Sequence, residues 1–150
     1  MENIENEIFL VAGATGTIGR QAVKELLKNG KTVRALSRNP QKTEFPENVE
    51  VIKGDLNNIE TLTKAFEGVH AAHFISIGDE KYTPLSNGRS IVELAKQSGI
   101  KRVTVLWNGE GNESSLETEI KQSSLEWTIL QPQEYMANAL GWAESIIHNG

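Results

Sequence analysis

The chain has 150 residues, of which 38% are hydrophobic, and a formal net charge of -5, which allows one domain with a buried core. The acidic balance argues against non-specific nucleic-acid binding, and the absence of cysteine excludes disulfides, thiolate zinc sites and cysteine nucleophiles. The sequence shows no secretory signal pattern and no apolar run near the roughly 20 residues that span a bilayer. We therefore expect a soluble, cytoplasmic protein that contacts neither nucleic acid nor membrane.

Short β-rich runs alternate with longer runs of helical spacing along the chain. Near-continuous apolar runs predict buried parallel strands, and apolar residues three or four apart predict helices. The predicted strands cover residues 7–13, 32–36, 49–56, 69–76, 101–107 and 125–132. The predicted helices cover residues 17–30, 58–68, 83–99, 115–124 and 133–150, and residues 37–48 and 108–114 are predicted loops.

This alternation predicts the fold class. Strands separated by helices imply a mostly parallel sheet with right-handed crossovers and helices on both faces. Six strands in this series predict the doubly wound order 3-2-1-4-5-6. The expected fold is therefore α/β, a doubly wound, mostly parallel six-stranded sheet of the Rossmann type, and residues 1–150 are expected to form one domain.

Three glycines, Gly13, Gly16 and Gly19, lie between the first predicted strand and the first predicted helix. At this place in a doubly wound sheet, glycines let the backbone approach a pyrophosphate, and the helix N-terminus favours its negative charge. The alternative is a tight turn that needs glycine for its shape alone. We predict a dinucleotide site whose contacts from this turn are Gly13, Thr15, Gly16, Thr17, Ile18 and Gly19.

The end of the second strand indicates which dinucleotide is bound. An NAD site usually has an acidic residue there, which holds the ribose 2′-hydroxyl. This chain instead has Ser37 and Arg38, and its next carboxylate is Glu44. Arg38 can pair with a 2′-phosphate, unless it is only a solvated loop arginine. We therefore favour NADP over NAD as the cofactor; Arg34, in mid-strand, carries less weight.

The chain resembles the NmrA-like group of atypical short-chain dehydrogenases/reductases. The matching segments are "GATGTIG", "VRALSRNP", "VIKGDL", "AFEGVHAAHFIS", "IVELAKQSGIKRV" and "LEWTILQP", in the family's order. The resemblance implies that Asp55 binds the adenine amino group and that Leu56 lies beside the ring, although Asp55 is also suited to capping a turn or helix. It also implies that Ile75 and Ser76 run over the adenosine ribose toward the nicotinamide.

The resemblance fails at the catalytic positions. Active short-chain dehydrogenases use a serine, a tyrosine and a lysine, the last two four residues apart. Here Tyr82 is followed four residues later by Ser86, and Tyr135 by Ala139. Other residues also occupy the usual serine position, the lone lysine position of some relatives and the arginine of the "RP" ending: Trp107, Glu113 or Ser114, and Gln131. No catalytic residue is therefore assigned.

Three functions are compatible with these residues. Relatives of this type run on past this length, so the C-terminal substrate-binding part is expected to be absent or truncated. The first function is a reductase for a small carbonyl or quinone, the second a non-catalytic NADP(H) sensor that signals through a protein partner, and the third an inactive nucleotide-binding fragment. The last predicted helix either folds back on the sheet or forms a homo-oligomer or partner contact through its apolar stripe, Met136, Leu140, Ala143 and Ile147.

Several polar and aromatic residues are expected to have structural roles. The three histidines lack the spacing of metal ligands, so no metal site is predicted, and His73 is expected to be packed or at a rim. Trp127 is expected in the core. The acid-rich segment is expected to be solvated, and its glutamates are Glu110, Glu113, Glu117 and Glu119.

Overall fold

Six strands and four helices make up the described part of the chain; the computed structural model describes residues 7–79, 81–107, 113–133, 135, 138 and 147. The strands are β1 (Ile8–Val11), β2 (Thr32–Ser37), β3 (Val49–Lys53), β4 (Val69–Ile75), β5 (Arg102–Leu106) and β6 (Glu126–Leu130). The helices are α1 (Thr17–Lys28), α2 (Thr63–Phe66), α3 (Gly88–Gln97) and α4 (Ser115–Lys121), with short 3-10 turns at Pro40–Lys42 and Ile59–Thr61.

The strands form one sheet in the order β3-β2-β1-β4-β5-β6, and every neighbouring pair is parallel. The predicted doubly wound fold and its strand order are therefore confirmed. At the centre of the sheet, Val11 of β1 is in register with Ala35 of β2 on one side and His73 of β4 on the other. The order in which strands are added to the sheet reverses at β1, so a crevice opens at the carboxyl ends of β1, β2 and β4.

Apolar side chains form two core clusters, as the helical and strand periodicities require. The larger cluster includes Phe66 and Phe74, whose ring centroids are 5.7 Å apart, together with fully buried Ile91 of α3 and Leu116 of α4. The smaller cluster joins Val23 of α1 to residues of β1, β2 and β3. The helices thus fix the sheet from both sides and hold the crevice at its edge.

Arg34 lies in the middle of β2 and is buried, with 8% of its surface exposed. Its Nε donates to Glu50 Oε2 at 2.7 Å, and its Nη1 donates to the carbonyl oxygens of Ala65 at 2.9 Å and Glu67 at 2.7 Å. Arg34 therefore joins β2, β3 and the end of α2. These hydrogen bonds give Arg34 a structural role, in agreement with the preference for Arg38 over Arg34 as the phosphate contact.

Two predicted helices are shorter in the structure than expected. The helix predicted over residues 58–68 is a 3-10 turn followed by the four-residue α2. The helix predicted from residue 83 begins only at Gly88, where a Cβ atom would lie 2.4 Å from the Leu116 nitrogen. The start of α3 thus packs directly on the start of α4, a long-range contact that local periodicity does not contain. The helix predicted over residues 133–150 lies mostly outside the described residues.

Two predictions about burial are wrong. Trp127, expected in the core, is 44% exposed because it lies on β6 at the edge of the described sheet. Glu117, expected to be solvated, is fully buried, and one of its oxygens accepts from the Ser114 hydroxyl. His73 agrees with its expected packed position, since its Nδ1 lies 2.8 Å from Thr104 Oγ1 in the neighbouring strand.

Candidate dinucleotide-binding site

A cleft of about 910 Å³ opens at the carboxyl ends of the central strands. Its lining comes from the turn after β1, from the ends of β2, β3, β4 and β5, and from the segment after β6. All the predicted cofactor contacts except Ser76 line it, and they are Gly13, Thr15, Gly16, Thr17, Ile18, Gly19, Ser37, Arg38, Asp55, Leu56 and Ile75. The structure therefore brings them together, while their binding of a cofactor stays a prediction.

The turn between β1 and α1 needs glycine at two positions. Gly13 has φ +65°, a left-handed conformation that L side chains rarely adopt. A Cβ on Gly19 would lie only 2.1 Å from the Gly13 carbonyl oxygen. The Gly16 nitrogen donates to that same oxygen at 2.9 Å, which closes the turn. The turn is therefore closed, and because its glycines carry no side chains, a ligand can approach its backbone directly.

The N-terminus of α1 is suited to an anion. Its N-cap is Gly16, which supplies no capping side chain, and the first turn of the helix has no acidic residue. The dipole of this twelve-residue helix and its first N–H groups therefore face the cleft, and no acidic residue of the helix's own first turn opposes an anion there. Arg20 follows in the same turn, and its Nε donates to the Thr15 carbonyl oxygen at 2.8 Å. A pyrophosphate fits this end of the cleft.

The end of β2 adds positive charge. Arg38 is exposed, lines the cleft and, among the described residues, has no carboxylate within ion-pair distance. Ser37 accepts from the Asn39 nitrogen at 3.1 Å through its Oγ. Lys42 and Thr43 also line the cleft, because the 3-10 turn that starts at Pro40 brings the chain back toward it. Sequence reasoning missed these last two residues.

The segment after β3 carries Asp55 in a hydrogen-bonded turn. Its Oδ1 accepts from the Asn57 nitrogen at 2.9 Å, and its own nitrogen donates to Thr61 Oγ1 at 2.9 Å. The structural alternative for Asp55 is thus confirmed, and the turn engages only one of its carboxylate oxygens. Leu56, only 6% exposed, forms part of the cleft floor. The proposed contact with adenine stays a prediction.

The residues that end β4 divide between cleft and interior. Ile75 lines the cleft, and its side chain would lie 3.1 Å from a Cβ placed on Gly13. Ser76 is 2% exposed and does not line the cleft. Its nitrogen donates to the Leu106 carbonyl oxygen at 3.1 Å, and its carbonyl oxygen accepts from the Leu85 nitrogen at 2.9 Å. The predicted ribose contact of Ser76 therefore finds no support in its position, since backbone pairing turns this residue into the interior.

The far end of the cleft is lined by Leu106, Trp107, Pro132, Gln133, Tyr135 and Asn138. Partial burial raises the pKa of Tyr135 above its ordinary value of 10.0, so the phenol loses its proton less readily than a solvated tyrosine. Tyr82 also lines the cleft, and sequence reasoning did not assign it a binding role. Both tyrosines are thus present, but the lysine that would lower a tyrosine pKa is not: among the described residues that line the cleft, the one lysine is Lys42 beside Arg38.

The remaining residues considered for catalysis have structural partners. Ser114 caps α4 by accepting from the Leu116 nitrogen, and it is buried. Glu113 forms an ion pair with Lys121. Neither lines the cleft. Within the described part of the chain, the serine, tyrosine and lysine of active short-chain dehydrogenases are not assembled, and no group of three or more histidine, cysteine or acidic residues could hold a metal ion.

The charges of the cleft differ from those of the whole chain. Its described lining holds three cations, Arg20, Arg38 and Lys42, and two carboxylates, Asp55 and Asp79. The net charge of the chain is -5. Arg20 belongs to the first turn of α1, and Arg38 and Lys42 to the segment after β2, so a phosphate-bearing ligand meets locally positive charge.

The described helices were also considered as membrane spans. None of them is long and apolar enough to cross a membrane.

Comparisons with known proteins agree with this geometry. A family model described as NAD(P)H-binding matches residues 13–114. A curated (4-alkanoyl-5-oxo-2,5-dihydrofuran-3-yl)methyl phosphate reductase from Streptomyces griseus is 28% identical over 147 residues, which cover 93% of this chain and 52% of that protein. The chain thus spans about half the length of this relative.

Two solved structures have a similar fold. Triphenylmethane reductase from Citrobacter, complexed with NADP(H), has 25% sequence identity and a TM-score of 0.70 over 91% of this chain and 55% of that one. NmrA, a negative transcriptional regulator in complex with NADP, has a TM-score of 0.65 over 83% and 44%, and at 22% identity this likeness concerns the fold alone. The chain therefore belongs to the NAD(P)H-binding family, and the resemblance of its motifs to the NmrA-like group is confirmed.

Proposed function

We propose that the chain binds NADP(H) and acts as the dinucleotide-binding part of a reductase for a small carbonyl or quinone. The observation that carries the proposal is the combination, in one cleft, of the uncapped α1 N-terminus behind Gly16 with Arg38 at the end of β2. The helix end fits a pyrophosphate, and Arg38 stands where NAD proteins usually have a carboxylate. The reductase class is supported by the Streptomyces relative and by triphenylmethane reductase.

Chain residues are available for each part of the dinucleotide. In this proposal the bare turn holds the pyrophosphate and Arg38 pairs with the 2′-phosphate, beside Ser37. Asp55 holds the adenine amino group, and Ile75 borders the path toward the nicotinamide. Bound NADPH supplies the hydride, and the task of the chain is to bind and orient the cofactor.

The proposal also covers domain organisation, location and partners. Residues 1–150 are proposed to act as one dinucleotide-binding domain. A cytoplasmic location belongs to the proposal as well, and so does a homo-oligomer or protein partner bound through the tail, which is the helix predicted over residues 133–150. The tail residues Met136, Leu140 and Ala143 lie outside the described part of the chain. We favour the reductase over the non-catalytic sensor because the 28% identical relative is a reductase.

Titration of the chain with NADPH and NADH tests the cofactor assignment. We expect NADPH to bind more tightly, and Arg38→Ala to weaken NADPH at least about tenfold, since a hydrogen-bonded charge pair contributes about 1.5–3 kcal/mol. NADH binding should change little. Arg89→Ala is the matched control, because Arg89 is an exposed arginine of α3 that lies outside the cleft lining. Tighter binding of NADH than of NADPH by the wild-type chain would refute the role given to Arg38.

Turnover tests the reductase assignment separately. NADPH oxidation is followed with a panel of quinones and aldehydes, at a chain concentration where NADPH binding is saturated. Oxidation that depends on both substrate and chain supports a reductase. Tight NADPH binding with no oxidation on any substrate of the panel would contradict that part of the proposal and favour the sensor or the inactive fragment.

A further inference from the structure

Tyr82 has an unusual backbone conformation. Its φ is +59°, and among the described residues it is the one non-glycine residue with a positive φ. This left-handed region is unfavourable for a residue with a Cβ, and a large aromatic residue there calls for an explanation. The residue is 66% exposed, so burial of its ring does not stabilise the fold in return. It does line the cleft.

The chain around Tyr82 holds it in this conformation. Asp79 Oδ1 accepts from the nitrogen of Lys81 at 2.9 Å and from that of Thr83 at 3.0 Å. These hydrogen bonds, those to Thr83 above all, lower the pKa of Asp79, so the carboxylate that fixes the tip stays ionised. The Tyr82 nitrogen also donates to the Asp79 carbonyl oxygen at 3.3 Å. The strained conformation is thus set by the hydrogen bonds of the loop.

The 77–84 loop, of which the structure describes residues 77–79 and 81–84, is fixed at its base. The Gly78 nitrogen donates to the Thr83 carbonyl oxygen at 2.8 Å, and Ile77 pairs with Pro84 in an antiparallel bridge. The loop is a short hairpin that carries Tyr82 near its tip. Strain that the surrounding structure maintains is typical of ligand clamps and active sites.

The base of the 77–84 loop lies next to the segment after β3. The Asn57 Nδ2 donates to the Gly78 carbonyl oxygen at 2.8 Å, and a Cβ on Gly78 would lie 2.3 Å from that same Nδ2. Asn57 directly follows Asp55 and Leu56, which line the part of the cleft assigned to adenine. The loop is therefore joined to the adenosine side of the cleft. Trp107, another aromatic residue of the cleft lining, instead follows β5 and is not part of this loop.

We propose that Tyr82 is an adenine-stacking residue, which the 77–84 loop holds against the face of the purine opposite the cleft floor. The proposal rests on the dinucleotide binding proposed above and names the part of the cofactor that this loop contacts. An aromatic face stacks on a purine without hydrogen-bond readout. The loop therefore contributes affinity for the adenosine half, while the choice between NADPH and NADH stays with Arg38.

The test uses Tyr82→Gly and Tyr82→Phe in the whole chain, with adenosine 2′,5′-bisphosphate as the probe. Glycine accepts a positive φ, so Tyr82→Gly removes the ring while it relieves the backbone. We expect its melting temperature to equal or exceed that of the wild type, and its affinity for the probe, measured by calorimetry, to fall roughly tenfold. Tyr82→Phe keeps the ring and should bind like the wild type.

Salt dependence separates stacking from charge. The loss caused by Tyr82→Gly should be the same at low and high salt, whereas the loss caused by Arg38→Ala should shrink as salt rises. Wild-type affinity for the probe in Tyr82→Gly would overturn the proposal, and so would a lower melting temperature, which would give the ring a packing role. Failure of the wild-type chain itself to bind NADPH or the probe would instead refute the proposed function.

Discussion

Gly19 shows how one residue controls the shape of the cleft. The missing side chain lets α1 begin directly against the Gly13 carbonyl oxygen, 2.1 Å from where a Cβ would stand. The contact is with backbone, which cannot rotate away as a side chain can. At Gly16 the corresponding distance is 3.3 Å, so a Cβ there would require the Gly13 oxygen to move by only a few tenths of an ångström. The two glycines of the same motif therefore differ in how strictly the structure requires them.

We predict that Gly19→Ala lowers the free energy of unfolding by about 2 kcal/mol, within the range for overpacking, and abolishes measurable NADPH binding. Gly16→Ala, the matched control, should cost less than about 1 kcal/mol. Urea unfolding measures the first quantity and fluorescence titration the second. Equal urea midpoints for Gly19→Ala and the wild type would show that the turn is looser than the structure indicates.

At the scale of elements, two arginine–glutamate pairs join neighbouring strands in different surroundings. Arg34 and Glu50 pair across β2 and β3, and Arg102 and Glu126 pair across β5 and β6, in equivalent register positions. Arg34 is buried and also satisfies two carbonyl oxygens at the end of α2. Arg102 and Glu126 are both 67% exposed at their side chains. Only the first pair should matter to stability.

Replacement of each arginine by methionine tests this difference. Arg34→Met leaves buried carbonyl oxygens without donors and should lower the free energy of unfolding by about 3 kcal/mol. Arg102→Met should change it by less than about 1 kcal/mol, as solvent-exposed pairs do. Chemical denaturation of both variants provides the comparison. A loss of the same size in both would mean that burial does not decide the contribution of these pairs.

Burial of His73, on β4, should make the free energy of unfolding depend on pH. Burial lowers the pKa of His73 from its ordinary value of 6.5, and its Nε2 has no hydrogen-bond partner among the described residues. The folded chain therefore favours the neutral ring, while the unfolded chain binds a proton below about pH 6.5. Because the unfolded state then binds more protons, stability from this group is present above that pH and is lost as the pH falls.

We expect the free energy of unfolding to decline below pH 6.5, with a slope from this group of at most about 1.4 kcal/mol per pH unit. His73→Gln removes the titrating ring and should flatten that decline. Denaturation between pH 7.5 and 5 gives both slopes, at roughly half-unit steps. An unchanged slope in His73→Gln would exclude this histidine as the cause.

At the scale of the whole molecule, the sequence predicted the features that depend on local patterns of neighbouring residues. The strand order followed from alternating periodicities, and the turn at Gly13–Gly19 and Arg38 lie where the strand ends require. The residues whose burial or role the sequence did not predict depend on packing between distant segments. Glu117 is buried by the tertiary fold around α4, and Tyr82 reaches the cleft through a hairpin whose base bonds to Asn57. No periodicity in the sequence predicts either of these contacts.

The dinucleotide should stabilise the molecule as a whole, because the cleft is shared by strands on both sides of β1. Binding to the folded state alone adds about 2.7 kcal/mol at a ligand concentration one hundred times Kd, which for a chain of this size raises Tm by roughly 5–10 °C. We expect NADPH to give this shift and NADH, at the same concentration, a smaller one. Thermal unfolding monitored by circular dichroism measures both, without any need for turnover. Gly19→Ala should show no shift with either ligand. If NADPH raised the Tm of Gly19→Ala as much as that of the wild type, the stabilising site would lie elsewhere than in the cleft behind the glycine turn.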